Sequence, residues 1–261
     1  MADSFFIPQA NGQWLATENT IGPWSAEHQH AGPPAALLGR ALESVLPDGF
    51  RFARVTCEIL RPVVVGQLLI EAELSKQGRA VCYARASLRD SQQRVLMQAT
   101  GLAIRETQFE YGELTLPVER DLPLPDAAQA FDFSFFRTPV GYHTAMELRL
   151  ADGEPGAGPT AMWMRMKIPL VPDEQPSPLQ RVLCAADSGN GVSMVLDKSK
   201  FNFMNPDLCV YLHRYPQGEW VCLDAATTPD VSGIGLAESQ LRDESGPIGR
   251  GLQSLFIAQY G

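Results

Sequence analysis

Basic residues are scarce in this chain, which has 21 lysines and arginines against 30 aspartates and glutamates and a net charge of −9. Binding to a nucleic-acid backbone depends on clustered lysine and arginine side chains at the phosphates. We therefore expect no nucleic-acid partner. The sequence also lacks a run of about 18 apolar residues, the length that a membrane-spanning helix needs. Its first residues lack the basic and apolar segments of a secretory signal, so we expect no membrane partner either.

Paired cysteine motifs are absent as well. The five cysteines are odd in number and scattered, without a CxxC pair. This pattern predicts reduced thiols in a cytoplasmic protein, and it disfavours a structural zinc site. His28 and His30 form an HxH segment, but no further histidine or cysteine stands at ligand spacing, so the segment predicts a loop before a helix. No cysteine has a neighbouring histidine motif, which disfavours a cysteine nucleophile.

What the sequence does contain is a helix followed by a series of strands, twice. Two prolines and a set of apolar residues at helical spacing predict a helix over 31–46. Segments rich in β-branched and aliphatic residues predict four strands over 50–105. Proline and acidic residues then indicate a linker over 107–138. After it come a strand pair, a helix predicted over 177–196 and four more strands.

An internal repeat relates the two halves of the chain. Three pairs of positions share one separation of 153 residues: SLRD (87–90) with QLRD (240–243), GLAI (101–104) with SLFI (254–257), and Arg61 with Arg214. A register kept in this way indicates duplication of one structural unit. We therefore predict an α+β fold of two similar units around a pseudo-twofold axis. The N-terminal unit covers 1–106, the linker 107–138 and the C-terminal unit 139–261.

The order of these motifs resembles the acyl-CoA thioesterase II family. HQHAGPPAALLGRALE (28–43) resembles the family's first helix, and the segment over 50–79 resembles its strand, Arg-Pro turn and next strand. SPLQRVLCAADSGNG (177–191) and FNFMNPDLCVYLHR (201–214) follow in the family's order. The resemblance covers nearly the whole chain and implies a double hotdog, in which each of two tandem hotdog units wraps a curved antiparallel sheet around a central helix. It also implies hydrolysis of acyl-CoA to a free fatty acid and CoA.

The resemblance further implies a catalytic set. In the family, an Asp on the second-half helix, a Thr or Asn before a strand and a Gln on the last strand hold the attacking water. The matching residues here are Asp187, Asn205 and Gln253. The repeat offers independent support, because the first half has Leu37 and Thr100 where the second has Asp187 and Gln253. Polar groups confined to one of two similar halves are better explained by chemistry than by folding.

A thioester needs no covalent nucleophile, only a positioned water, a base and donors for the oxyanion. Asp187 is the expected base or water-orienting acceptor. Backbone N–H groups at a helix start suit an oxyanion, and Gly32 is the candidate because glycine lets a ligand approach closely. We expect no metal or redox cofactor. Arg61 and Arg214 could hold CoA, but their presence in both halves favours a structural role at a sheet edge or carboxylate.

Other interpretations stay open at this point. Asp187 lies in DSGNG, which is favourable turn chemistry, so it could be a turn or helix-cap residue. The chain could also be a non-catalytic acyl-ligand binder that keeps the fold. Hotdog hydratases combine an acidic residue with a histidine, and no histidine lies on the helix of Asp187, which disfavours that activity. Exposed sheet edges predict a homodimer.

Overall fold

A computed structural model describes residues 3–115 and 120–260 of the chain. Within these residues the fold is one antiparallel sheet of fourteen strands with four α-helices and three short 3-10 helices. The helices are α1 (Gly32–Ser44), α2 (Tyr142–Ala145), α3 (Pro178–Ala186) and α4 (Gly189–Val192). The strands of the first half are β1 (Phe6–Pro8), β2 (Gln13–Ala16), β3 (Phe50–Ile59), β4 (Gln67–Gln77), β5 (Val81–Asp90) and β6 (Val95–Arg105). The remaining strands are β7 (Gln129–Phe131), β8 (Met146–Gly153), β9 (Thr160–Met166), β10 (Phe201–Met204), β11 (Asp207–Leu212), β12 (Val221–Pro229), β13 (Ile234–Asp243) and β14 (Gly246–Gln259).

The two halves join in the middle of the sheet, where β3 pairs with β11. The strand order is β1-β2-β4-β5-β6-β3-β11-β14-β13-β12-β9-β8-β7, with β10 also paired to β14. Thr56 faces Cys209 across the β3–β11 junction, and these two residues are 153 positions apart, which is the separation of the sequence repeat. Equivalent residues that face each other are what a local twofold axis requires.

Helices α1 and α3 pack against the sheet and against each other. Helix α1 packs on β4, β5, β6 and α3, while α3 packs on β9, β11 and β12. The contact between the helices is close, because a Cβ atom added to Gly32 would lie 2.3 Å from the carbonyl oxygen of Cys184. The start of α1 therefore meets the end of α3, and one apolar core runs through both halves.

The structure departs from the predicted elements at several places. The helix predicted over 177–196 ends at Ala186, and a separate turn, α4, begins at Gly189. Residues 142–145 form the turn α2, although their pattern predicted the start of a strand. The predicted linker contributes β7, which pairs with β8. Residues 116–119 of that linker lie outside the described residues, and the predicted domain boundaries stay predictions.

Arg61 and Arg214 hold the backbone of the sheet, as the repeat predicted. Arg61 Nη1 donates to the carbonyl oxygen of Val95 (2.7 Å). Arg214 Nη2 donates to Asp243 Oδ1 (2.7 Å) and to the carbonyl oxygen of Gly246 (2.8 Å). Both guanidinium groups thus bind a turn between neighbouring strands, which supports a structural role.

Two predictions about partners concern the outside of the molecule. In residues 3–115 and 120–260, no helix is both long and apolar enough to cross a membrane. The sheet order ends at β1 and β7, which are three residues long each. Short edge strands give little backbone for pairing between chains. The homodimer stays a prediction.

Candidate active site

The three predicted site residues meet at the end of α3. Asp187 directly follows α3, Asn205 connects β10 to β11, and Gln253 lies on β14. Asn205 Nδ2 donates to Asp187 Oδ1 (2.8 Å). Gln253 Nε2 donates to the backbone oxygen of Asp187 (2.9 Å) and lies 3.3 Å from its Oδ1. Asp187 is only 8% exposed. Its carboxylate therefore binds amides from distant strands, which argues against a residue that merely forms a local turn.

The amide of Gln253 has a fixed orientation. The backbone N–H of Asn190 donates to Gln253 Oε1 (3.0 Å), so Nε2 must face Asp187. A Cβ atom added to Gly189 would lie 3.0 Å from this Oε1 and 2.9 Å from Ser239 Oγ. The glycine between Ser188 and Asn190 thus leaves space for Gln253.

A fourth side chain, His30 from the first half, reaches the same carboxylate. His30 Nδ1 lies 3.1 Å from Asp187 Oδ2, and the histidine side chain is 14% exposed. Its ring stacks on Tyr142 with centroids 3.8 Å apart and planes 6° from parallel. Burial lowers the pKa of His30 more than the charge of Asp187 raises it. The imidazole is therefore neutral at neutral pH.

Gly32 lies beside this group at the start of α1. Its N–H is 3.1 Å from His30 Nδ1 and points at it. Pro33 and Pro34 follow Gly32 and have no N–H, and the N–H of Ala35 donates to the carbonyl oxygen of Ala31 (3.0 Å). Among residues 32–35, Gly32 thus has the one backbone N–H that does not donate to a carbonyl oxygen of the helix. Its role as oxyanion donor stays a prediction.

The cysteines near the carboxylate are not thiolates. Cys57 and Cys184 are fully buried and free. Burial, with a smaller contribution from the charge of Asp187, raises the pKa of Cys57 to about 12 and raises that of Cys184 as well. A thiol that keeps its proton is a weak nucleophile. The arrangement therefore suits attack by water rather than by cysteine.

Reasoning from the sequence missed His30 and Tyr142 as members of the site. The prediction considered only histidines on the helix of Asp187, where none lies, and so did not pair Asp187 with His30. His30 comes from the other half and is brought in by the packing of α1 against α3. The HxH segment before α1 was a usable signal, but only a predicted contact between the two helices could have linked it to Asp187.

Comparisons with known proteins give the chain its family. The model of the acyl-CoA thioesterase N-terminal domain matches residues 20–104, and that of the acyl-CoA thioesterase C-terminal domain matches residues 119–257. The comparison with curated protein sequences gives no significant match.

Solved structures share the fold across nearly the whole chain. A conserved protein with a hot dog fold from Alicyclobacillus acidocaldarius has a TM-score of 0.70 at 16% identity, covering 99% of this chain and 97% of its own. An acyl-CoA thioesterase II, TesB2, from Mycobacterium marinum has a TM-score of 0.67 at 12% identity, with coverages of 98% and 95%. The tesB protein of Mycobacterium avium subsp. paratuberculosis has a TM-score of 0.66 at 17% identity, with coverages of 97% and 96%. The large antiparallel sheet with few helices is thus a hot dog fold, and the two domain matches show that this chain belongs to the acyl-CoA thioesterase family of thioester hydrolases.

Proposed function

We propose that this protein hydrolyses fatty acyl-CoA by direct attack of a water molecule held by Asp187, Asn205 and Gln253. The observation that carries this proposal is the convergence of two side-chain amides on one buried carboxylate, in a chain of a thioesterase family. A carboxylate is expensive to bury, and its donors come from elements far apart in sequence. Side chains from separate parts of the fold converge on this one charge, which favours a chemical role for Asp187.

The reaction needs only one proton acceptor. As the water oxygen attacks the thioester carbonyl carbon, Asp187 takes one proton from that water, and a tetrahedral oxyanion forms. The Gly32 N–H is the proposed donor to the oxyanion. The carbon–sulfur bond then breaks, and the CoA sulfur takes the proton from Asp187. The products are a free acid and a CoA thiol, and the carboxylate is regenerated.

We also propose the finer description of the fold as a double hotdog. Helix α1 would be the central helix of the first unit and α3 that of the second. Their contacts with β4–β6 and with β9, β11 and β12 support this description. The pseudo-twofold pairing of β3 with β11 supports it too.

A cavity beside α4 is the proposed position of the acyl group. It has a volume of about 290 Å³ and is lined by apolar side chains together with the polar Ser134, Asp197 and Lys198. Phe131, Phe133, Phe135, Gly191, Met194 and Leu196 are among the residues that line it. An apolar wall close to the turn that follows Asp187 would bind an acyl chain through burial of its methylene groups.

The test is release of free thiol from a panel of acyl-CoAs of increasing chain length, with wild type and Asp187→Asn measured together. We expect wild-type turnover and a fall in kcat of ~10²-fold or more in the variant, with a modest change in KM. Asp230→Asn is the matched control, since Asp230 is exposed and its carboxylate is bound within its own turn, by Ser232 and Val231. Normal turnover in Asp187→Asn would overturn the proposal. Binding without turnover in wild type would favour the ligand-binding alternative.

The His30–Asp187 pair gives a specific reason to test a second activity, hydration of a 2-enoyl-CoA. A hydratase needs both groups to face the substrate, whereas here Nδ1 faces the carboxylate itself. We therefore expect thiol release to exceed loss of the enoyl absorbance in the same preparation. The reverse ranking would replace the hydrolase by a hydratase.

A further inference from the structure

His30 is held rigidly against the segment that carries Asp187. Its ring stacks on Tyr142, which is fully buried. The hydroxyl of Tyr142 donates to the carbonyl oxygen of Cys184 (2.9 Å) and lies 3.0 Å from Ser188 Oγ. These two anchor points stand before and after Asp187 in the chain. Tyr142 thus positions both the imidazole of His30 and the chain segment that carries Asp187.

The Nδ1 atom of His30 has two neighbours but can serve only one of them. It lies 3.1 Å from Asp187 Oδ2 and 3.1 Å from the backbone nitrogen of Gly32. A ring nitrogen with a proton donates, and one without a proton accepts. With the proton on Nδ1, His30 donates to the carboxylate and the Gly32 N–H loses its acceptor. Without it, His30 accepts from Gly32 but turns a lone pair towards an anionic oxygen.

Electrostatics decide between these two states. Asp187 is a buried carboxylate, and a lone pair held 3.1 Å from it is unfavourable. The other titratable groups against this pair are Tyr142, Cys57 and Cys184, and burial raises the pKa of each, so all three stay neutral. They offer Asp187 no compensating positive charge. The stable arrangement is therefore a neutral imidazole with its proton on Nδ1.

We propose that His30 is a positioning residue that donates from Nδ1 to Asp187 Oδ2 and thereby fixes the orientation of this carboxylate. This inference rests on the proposed function. The stacked Tyr142 ring holds the imidazole in place, so the proton on Nδ1 stays directed at Oδ2.

Two substitutions separate this role from simple packing. His30→Phe keeps a flat ring for Tyr142 but has no nitrogen, whereas His30→Asn loses the ring and can place an amide nitrogen near the position of Nδ1. We expect kcat to fall by ~10–100-fold in His30→Phe with KM little changed, and by less than about tenfold in His30→Asn. A purely structural role for the stacked ring predicts the opposite ranking. Equal unfolding midpoints in the two variants, or a higher one for His30→Phe, would exclude misfolding as the cause of the loss.

The Asp187→Asn variant separates failure of this inference from failure of the proposed function. If Asp187→Asn keeps normal turnover, the proposed function is wrong. If it loses turnover while His30→Phe keeps it, only the positioning role is wrong. In the double variant, we expect the second substitution to cost less than it does in wild type, since it acts through a carboxylate that is no longer there.

Nitrogen NMR of the imidazole rings gives a readout independent of activity. The chain has four histidines, and the signals of His30 are those that disappear in His30→Asn. We expect Nδ1 to carry the proton and Nε2 to be bare near neutral pH. A bare Nδ1 with a protonated Nε2 would overturn the proposal, whatever the kinetics show.

Discussion

At the scale of single residues, the site is defined by how Asp187 obtains its donors. Asn205 and His30 supply one side-chain donor position each, and Gln253 binds both the backbone oxygen and the carboxylate. An ionised carboxylate with hydrogen-bond donors is tolerated in a protein interior, whereas a bare one is not. Each donor lies on a different element, so the carboxylate depends on the complete fold.

The orientation of Gln253 depends on the absence of a side chain at residue 189. We expect Gly189→Ala to lower kcat by ~10-fold, because the new methyl group would displace Gln253 Oε1 from the Asn190 N–H. Gly112→Ala is the control, since Gly112 is exposed and a Cβ atom there meets nothing within 4 Å. It should leave both kcat and the unfolding midpoint unchanged. Thiol release and urea unfolding of both variants check this prediction, and equal kcat values would contradict it.

The residues predicted from the sequence came from two kinds of signal. Asp187, Asn205 and Gln253 were identified by family resemblance, comparison of the two halves supported Asp187 and Gln253, and the structure brings all three together. His30 could not be found in this way, because its contact with Asp187 depends on how α1 packs against α3. Periodicity within one element carries no information about such a contact. The packing of α1 against α3 therefore could not be predicted from the sequence pattern.

At the scale of elements, strands were predicted better than helix ends. The aliphatic pattern of β5 and β13 placed both strands, and their bounds in the structure, Val81–Asp90 and Ile234–Asp243, differ by the separation of the repeat. The helix over 177–196 was predicted too long, since apolar residues on both sides of DSGNG continue the helical pattern. The break falls at Asp187 and Ser188, within a DSGNG segment of weak helix formers, so local propensity was a usable signal against one continuous helix.

Arg61 and Arg214 occupy equivalent positions in the two halves, but the groups that they bind differ in burial. Substituting each arginine therefore tests how burial affects its contribution to stability. Arg214 pairs with the carboxylate of Asp243, whose side chain is 0% exposed, while the exposed Arg61 donates to a backbone oxygen. We expect Arg214→Met to lower the unfolding free energy by about 2 kcal/mol. The loss is smaller than that for a buried carboxylate left without any donor, because two backbone amides still donate to Asp243. Arg61→Met should cost about 1 kcal/mol or less. Urea unfolding of the two variants checks the difference.

The pH dependence of the Arg214→Met effect has a definite sign. Burial raises the pKa of Asp243, but Arg214 and the backbone amides together outweigh it, so the folded pKa is lowered. A lowered carboxyl pKa contributes stability above its unfolded value, and that stability is lost as pH falls through the folded value. The difference in unfolding free energy between wild type and Arg214→Met should therefore be largest at neutral pH and decrease as the pH falls. A difference in unfolding free energy that increases on acidification would contradict the ion pair between Arg214 and Asp243.

At the scale of the whole molecule, the candidate site combines residues from both halves of the chain. The first half retains the scaffold with Leu37, which is 1% exposed, where the second half has Asp187. Yet the first half supplies His30 and Gly32 to the site of the second. The halves have therefore diverged into complementary parts, and neither contains the complete group of donors.

This sharing predicts that the two halves unfold together. The β3–β11 junction, the contact between α1 and α3, and the common apolar core all cross the boundary between the halves. We expect a single calorimetric transition whose van't Hoff and calorimetric enthalpies agree. Val55→Ala, at a buried position opposite Val210 in the junction, should lower the midpoint of that one transition. Two transitions, of which only the first moves in Val55→Ala, would show that the halves are independent domains and that the site can be disassembled without unfolding either of them.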